Sequence, residues 1–268
     1  MERFFMGIDD LDAHHNQPRI SGLTEIRGPN HSFMEAFCIK GLLESNGHLI
    51  DGLKFKDGSA SLMPKSILRE IADVVHQHGA YMSTGGWAEH LLAKGPSSFK
   101  HYVDECRDIG FDTLELHADH LNMQEDDLLR LVRLIKREGL NVKPQFDVKL
   151  GEASSIGELQ KEIDTMIGRA ERFLASGADM IMFDADGITK GVDEWRTDFI
   201  ARMIGRLGLD KIMFEADELE TAQYFVNRYG SGVNLFIDHS QARDLKNLRT
   251  AAGGGGQKYI WGQKRVPF

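Results

Sequence analysis

The chain has 268 residues, 41% of them hydrophobic, with 32 lysines and arginines against 41 aspartates and glutamates for a formal charge of −9. That length fits one (β/α)8 barrel of about 250 residues as well as it fits two small domains. So acidic a surface argues against nonspecific binding to nucleic acid, whose phosphates call for a basic face, and no apolar run reaches the roughly 20 residues of a membrane-spanning helix.

The N-terminal MERFFMGIDDLDAHHNQPR has too short an apolar stretch for a secretion signal, so the cytoplasm is the expected compartment. A first strand is predicted over Ser21 to Arg27, followed by a helix around FMEAFCIKGLLESNG. The second strand runs from Leu49 to Phe55. In its helix, PKSILREIADVVHQHG, Ile67, Ile71, Val74 and Val75 share a face and Gly79 marks the stop. Strand three, AYMSTGG, leads into WAEHLLAKG and SSFKHYVDECRDIG. Strand four, TLELHA, precedes QEDDLLRLVRLIKREG, whose acids come first and bases last, as the helix dipole favours. Strand five, NVKPQFDVKL, precedes a long helix with Leu159, Ile163, Met166, Ile167, Ala170, Phe173 and Leu174 on one stripe. Strands six (DMIMFDAD), seven (KIMFEAD) and eight (VNLFIDH) each precede a helix-like stretch.

Strands this dense in Ile, Leu, Met and Phe indicate a parallel sheet buried on both faces. Eight such units in one chain close most naturally into a (β/α)8 TIM barrel, and no G-x-G-x-x-G after strand one favours an open sheet. One barrel domain is expected over residues 1–252. A Gly-rich, flexible tail follows over residues 253–268, its terminal aromatics available to a surface or a second subunit. Cys38 and Cys106 sit in separate helical patterns and read as small core residues, with no disulfide or zinc spacing.

Barrel enzymes use the C-terminal ends of their strands. Polar residues there are Thr24, Glu25 and Arg27, then Lys54 and Lys56, then Ser83, Thr84, Gly85 and Gly86. Glu115 and His117 follow, then Gln145, Asp147 and Lys149, Asp184 and Asp186, Glu215 and Asp217, and Asp238 and His239. Polar groups in apolar strands cost free energy unless paired, hydrated or bound to metal. Carboxylates converging on one mouth would repel without a cation. Mg2+, which takes hard oxygen ligands, is one answer, with Asp147, Asp184, Asp186 and Glu215 as ligands. A ring of ion pairs with Lys54, Lys149 or Arg27 is the other. Lys54 and Lys149 lie in apolar surroundings and either hold an anion or exchange protons or form a Schiff base. His117 and His239 follow strands and are candidates to touch substrate, whereas His76 and His78 read as a solvated helix end.

The segments QPRISGLTEIR, HLIDGLKFKDGSASLMPKS, YMSTGGWAEHLL, GFDTLELHA, MFEADELETAQYFVNRYGSGVNLFIDHSQ and DLKNLR together resemble the phosphosulfolactate synthase family. They are most similar to its divergent branch that includes the plant heat-stress-associated proteins. The resemblance runs from about Pro18 to Arg249. It implies a barrel that adds sulfite to phosphoenolpyruvate with Mg2+, assembled as a homo-oligomer. By this similarity Pro18 and Arg19 match a Lys-Pro-Arg motif suited to an anion, and Asp51 and Lys54 match the strand-two Asp and Lys. Gly85, Gly86 and Glu89 match a Gly-Gly-Thr segment and the following glutamate, and Glu115, Lys149, Glu215 and Asn234 match residues of strands four, five, seven and eight. The chain departs where Gln145 replaces a glutamate, where FDADGI replaces a Glu-Ala-Arg-Glu-Ser-Gly type of motif, and where KDGSAS replaces Gly-Trp-Gly-Thr-Ser.

The resemblance implies a lyase with Lys54, Glu115 and Lys149 as catalytic groups. Arg19, Arg27, Ser83, Gly85, Gly86, His117, Gln145 and His239 would bind a small anionic phosphorylated or carboxylate substrate. Two other readings stand beside it: a catalytically diverged stress-associated binding protein, and a lysine Schiff-base aldolase or lyase.

Overall fold

In a computed structural model, residues 19–28, 36–117, 123–148, 156–253, 259–260 and 263–264 are described. Eight parallel strands close into one barrel in sequence order: β1 Thr24–Arg27, β2 Gly52–Phe55, β3 Tyr81–Thr84, β4 Thr113–Leu116, β5 Asn141–Phe146, β6 Ile181–Phe183, β7 Ile212–Ala216 and β8 Asn234–Ile237. Closure is carried by β1, which pairs β2 with Arg27 opposite Lys54 and pairs β8 with Glu25 opposite Phe236. The helices are α1 Ala36–Asn46, α2 Lys65–Gln77, α3 Ala88–Leu92, α4 Pro96–Ile109, α5 Glu125–Arg137, α6 Ile156–Ala175, α7 Thr197–Leu207, α8 Leu219–Tyr229 and α9 Ala242–Gly253. The fold is the expected (β/α)8 barrel.

Alternation along each strand divides the barrel into two environments. Outward residues such as Ile26, Leu53, Leu114, Val142, Phe183 and Leu235 are fully buried in the core beneath the helices. There Phe183 packs edge-on to Phe199 and stacks on Phe214, which in turn stacks on Phe225 at 4.7 Å. Inward residues Met182, Met213 and Phe236 form a separate small cluster inside the barrel. Beside them the interior holds charged side chains, among them Glu25, Lys54, Glu115 and Lys143.

Acids that precede strands latch the N-terminal end of the barrel. Asp51, Asp112 and Asp179 reach back to accept the backbone N–H of Thr24, Met82 and Val142 at 2.7, 2.7 and 2.8 Å. Asn234 accepts from Leu23 at 2.9 Å. From α9, Arg249 donates to the carbonyls of Gly22, Leu23 and Val233 and to the Thr24 hydroxyl. Its guanidinium closes the β1–β8 seam with no carboxylate partner among the described residues. Burial lowers its pKa to about 9, which leaves it charged at neutral pH.

Two expectations are corrected. Cys38 is exposed on α1, whereas Cys106 is buried as expected; α1 shows its Phe37 and Cys38 face to solvent and buries Ile39 and Leu43 instead. Strand β1 begins at Thr24 and strand β5 ends at Phe146, so Asp147 stands on the loop above β5 rather than within it. Helix α9 runs to Gly253, and Tyr259–Ile260 pairs antiparallel with Gln263–Lys264. The remaining tail residues, His14, His15, Pro18 and Lys149 lie outside the described residues. No helix among those described is long and apolar enough to cross a membrane.

Candidate active site at the C-terminal mouth of the barrel

The deepest layer is an ion-pair network from four strands. Glu25, Lys54, Glu115 and Lys143 are all at most 3% exposed. Lys54 Nζ lies 2.6 Å from Glu115 Oε2, and Lys143 Nζ lies 2.5 Å from Glu25 Oε2 and 3.7 Å from Glu115 Oε2. The Lys54–Glu115 contact is a close ion pair without the angles of a directed hydrogen bond, since neither Glu115 oxygen has a hydrogen-bond partner among the described residues. Lys54 also sits 4.4 Å from the centroid of the Phe236 ring. Burial opposes its charge, but Glu115, with Glu25 and Glu215 around it, prevails and holds its pKa above the ordinary lysine value. Lys54 is therefore an ammonium at neutral pH, which suits holding an anion or a positive potential and does not suit a Schiff-base nucleophile. Burial, then Glu25 and Asp51, push the Tyr81 phenol well above its usual range, so it stays neutral below this layer.

Above it the mouth opens to water. Arg27 Nη2 donates to Glu215 Oε1 at 2.6 Å and to Asp217 Oδ1 at 2.7 Å. The second Asp217 oxygen takes Lys190 at 3.0 Å. Arg27 Nε is buried with no hydrogen-bond partner among the described residues. On the other side His117 Nε2 and Asp147 Oδ1 are 2.8 Å apart. Gln145 donates to Asp184 Oδ2 at 3.1 Å, and the Asp186 backbone N–H reaches Asp184 Oδ1 at 3.2 Å. The strand-end reading thus brings together Arg27, Lys54, Glu115 and Glu215, and places Gln145, Asp147, His117, Asp184 and Asp186 on the adjoining ends of β4, β5 and β6.

Other candidates stand apart. Arg19 binds Asp51 at 2.7 Å beside the N-terminal ends of the strands, at the opposite end of the barrel from the mouth, where it lines an opening of about 680 Å3 with Tyr81 and Lys143. Ser83 is buried and donates to the Thr84 carbonyl at 3.1 Å. Gly85 lines a cavity between barrel and helices instead of the mouth, and Gly86 is half-buried beside it. His239 is 42% exposed and lies 3.4 Å from Asp238, which caps the next turn through Ser240.

Sequence reasoning passed over Lys143, Tyr81 and Lys190. Lys143 carried a readable signal: within NVKPQF it alternates with Val142 and Pro144, so an inward Val and an inward Lys cannot both be avoided in a closed barrel.

A divalent cation can be weighed against these donors. Among the described residues no three His, Cys, Asp or Glu side chains group to hold a metal. Mg2+ needs fewer, since it keeps several waters and takes one or two carboxylates with substrate oxygens. Asp184 offers such a carboxylate, because its partners are a neutral amide and a backbone N–H. The donor chemistry of Asp184 is therefore compatible with such an ion.

The family model described as (2R)-phospho-3-sulfolactate synthase (ComA) matches residues 12–254. The chain belongs to the phosphosulfolactate synthase family. Among its relatives, Protein HEAT-STRESS-ASSOCIATED 32 of Arabidopsis thaliana is 47% identical over 258 residues, 90% of each chain. The phosphosulfolactate synthase of Methanothermobacter thermautotrophicus is 25% identical over 245 residues, 89% of this chain and 92% of that protein. Of solved structures, 2,3-dimethylmalate lyase, a PEP mutase/isocitrate lyase superfamily member, aligns with a TM-score of 0.53 at 10% identity, over 85% of this chain and 80% of that one. That likeness shows the barrel fold. In this chain Lys54, Glu115 and Glu215 lie in one electrostatic network, and Gln145 donates to Asp184 beside it.

Proposed function

We propose that this chain is a lyase-type enzyme that adds a nucleophile, sulfite or another, to the double bond of phosphoenolpyruvate or a similar phosphorylated or carboxylate substrate, assisted by Mg2+. Arg27 carries the proposal. Two carboxylates fix its guanidinium at the mouth, yet its Nε–H is left without a partner among the described residues, a buried donor that an anionic substrate would satisfy. Lys54, held as an ammonium by Glu115, adds positive potential beneath the substrate. Lys190, tethered to Asp217 at the rim, offers a second cation.

In the addition, the nucleophile bonds to the terminal carbon of the double bond and the electron pair moves to the carbon bearing the carboxylate. A proton then arrives at that carbon, and no group leaves. The cationic ring formed by Arg27 and Lys54 stabilises the negative charge that develops on the carboxylate oxygens. Lys149 delivers the proton or steadies the charge. When bound at Asp184 and Asp147, Mg2+ supplies Lewis-acid polarisation of the substrate carboxylate. The protein is proposed to work in the cytoplasm as a homo-oligomer, which light scattering on the purified chain tests.

The deciding assay incubates the chain with phosphoenolpyruvate, Mg2+ and sulfite, and follows substrate loss and product mass. Adduct formation that disappears in Arg27→Gln is expected. Unchanged phosphoenolpyruvate with sulfite, and also with thiol and oxygen nucleophiles, would overturn the proposal. The 47% identity to a heat-stress-associated protein, together with the replaced strand-six motif, favours one second reading: a barrel that binds a ligand without turning it over. A thermal-shift panel of Mg2+ and phosphorylated three-carbon acids separates the two, because a ligand at a hundred times its Kd raises stability by about 2.7 kcal/mol. Stabilisation without turnover supports the second reading.

A further inference from the structure

Outside the barrel, between β2, β3 and the helices α2 and α4, lies a cavity of about 270 Å3. Phe55, Leu68, Leu91, Tyr102, Cys106 and Phe111 form its walls. Its roof is the turn Lys56–Leu62, whose Gly58 lies flat on the indole of Trp87: φ is +70°, and a Cβ there would stand 2.1 Å from Trp87 Cε3. Protein interiors are packed closely enough that voids much larger than a water molecule are rare. An apolar cavity of roughly 150 Å3 already admits benzene. This one is larger, and its apolar walls with a few hydroxyls are the composition of a small-molecule pocket.

The polar groups define what fits. At the rim Lys65 of α2 and Glu105 of α4 pair across the opening, so neither charge is left to attract an ion. Burial pushes the Cys106 thiol up to about 12, so the wall it lines is uncharged. Ser61 and Ser98 place hydroxyls at the edge for a single hydrogen bond. The rings of Phe55, Trp87, Tyr102 and Phe111 line the space together with the His101 imidazole, which lies 3.6 Å from Glu105 at the rim, and Phe55 and Phe111 already meet edge-to-face at 5.8 Å. Such rings favour a planar partner that extends the edge-to-face packing.

We propose that this cavity is a second binding site, distinct from the mouth, for a small neutral aromatic molecule of about ten non-hydrogen atoms bearing one hydrogen-bonding group. Because Phe55 and Thr84 belong to the strands that carry Lys54 and Ser83 inward, an occupant braces the outer side of the same two strand ends.

The test is isothermal titration calorimetry of the full chain with indole and with 2-naphthol. Binding of at least one, with Kd of about 0.1 mM or tighter, is expected from ligands of this size. Ala60→Phe fills the space from the roof and Ser98→Leu fills it from α4. Each should weaken binding at least tenfold while circular dichroism and Tm hold at the wild-type values, and the second variant decides should the first fail to fold. No saturable heat with either probe, unchanged affinity in a folded filled variant, or displacement of the probe by phosphoenolpyruvate would each overturn the proposal.

Discussion

Replacing Lys54 by methionine keeps the length of the side chain and removes its charge, and the structure sets the cost. Glu115 is fully buried and loses a cation at 2.6 Å, keeping, among the described residues, Lys143 at 3.7 Å. Removing one partner of a buried pair typically costs about 3–5 kcal/mol, because the remaining charge stays buried without compensation. The lost contact with Phe236 belongs to that figure, at about 1–2 kcal/mol. For a chain of this size, each kcal/mol moves Tm by roughly 2–4 °C, so Lys54→Met should lower it by roughly 10 °C. Glu115→Gln should cost a similar amount, while the double variant should recover about 2–3 kcal/mol relative to the sum of the two. Urea unfolding followed by circular dichroism measures all three. The pH dependence gives a second check. The folded pKa of Lys54 is raised, so the stability it contributes is fully present below the unfolded value of 10.5 and is lost as pH rises through the folded value. The wild type should therefore lose stability at strongly alkaline pH more steeply than Lys54→Met. A single variant costing less than about 1 kcal/mol, or strictly additive singles, would refute the idea that the pair holds a desolvated charge.

Arg249→Ala removes four acceptors' worth of donors from the β1–β8 seam and should destabilise by about 2–4 kcal/mol, with Arg249→Lys restoring little because an ammonium cannot span four acceptors; thermal unfolding measures both. Gly187→Ala puts a Cβ 2.0 Å from the Val148 carbonyl at φ +77°, so it should cost more than about 1 kcal/mol and disturb the Asp184 corner, read as weaker Mg2+ binding by calorimetry. Arg27→Gln should lower kcat/KM for phosphoenolpyruvate by about a hundredfold, the size of a lost charge-assisted hydrogen bond, and should also lower Tm, because the buried Glu215 carboxylate loses its guanidinium partner.

The barrel was legible because its signals are local and repeated. Met180 and Leu235 each begin an apolar run, and α5 announces itself with Glu125, Asp126 and Asp127 at one end and Lys136 and Arg137 at the other. Strand ends were less legible. Ser21 to Leu23 read as strand from their neighbours, yet Gly22 has φ +66° and the ladder starts only at Thr24. Cys38 escaped for a related reason. A helix of mixed pattern such as α1 has no sequence mark that says which side faces the barrel, and here Ile39 and Leu43 turn inward.

The site was half legible, and the division follows from alternation. Position along a strand told which residues stand at its end, and Arg27, Lys54, Glu115 and Glu215 do meet. Alternation also tells which residues point inward, and that rule reaches below the mouth: Glu25 and Lys143 share the parity of Arg27 and Gln145 on their own strands. What no single strand contains is the pairing between strands. Lys143 serves Glu25 from four strands away across the barrel, and only closure brings the two within 2.5 Å. Closure also separates the acids by role. Glu25 and Glu115 are met by lysines of the interior and Glu215 by Arg27, which leaves Asp184, with neutral partners, as the carboxylate whose charge a bound cation would offset. The ion-pair ring and the corner proposed for Mg2+ therefore need not compete for the same residues, because the residues involved lie in successive layers of one barrel.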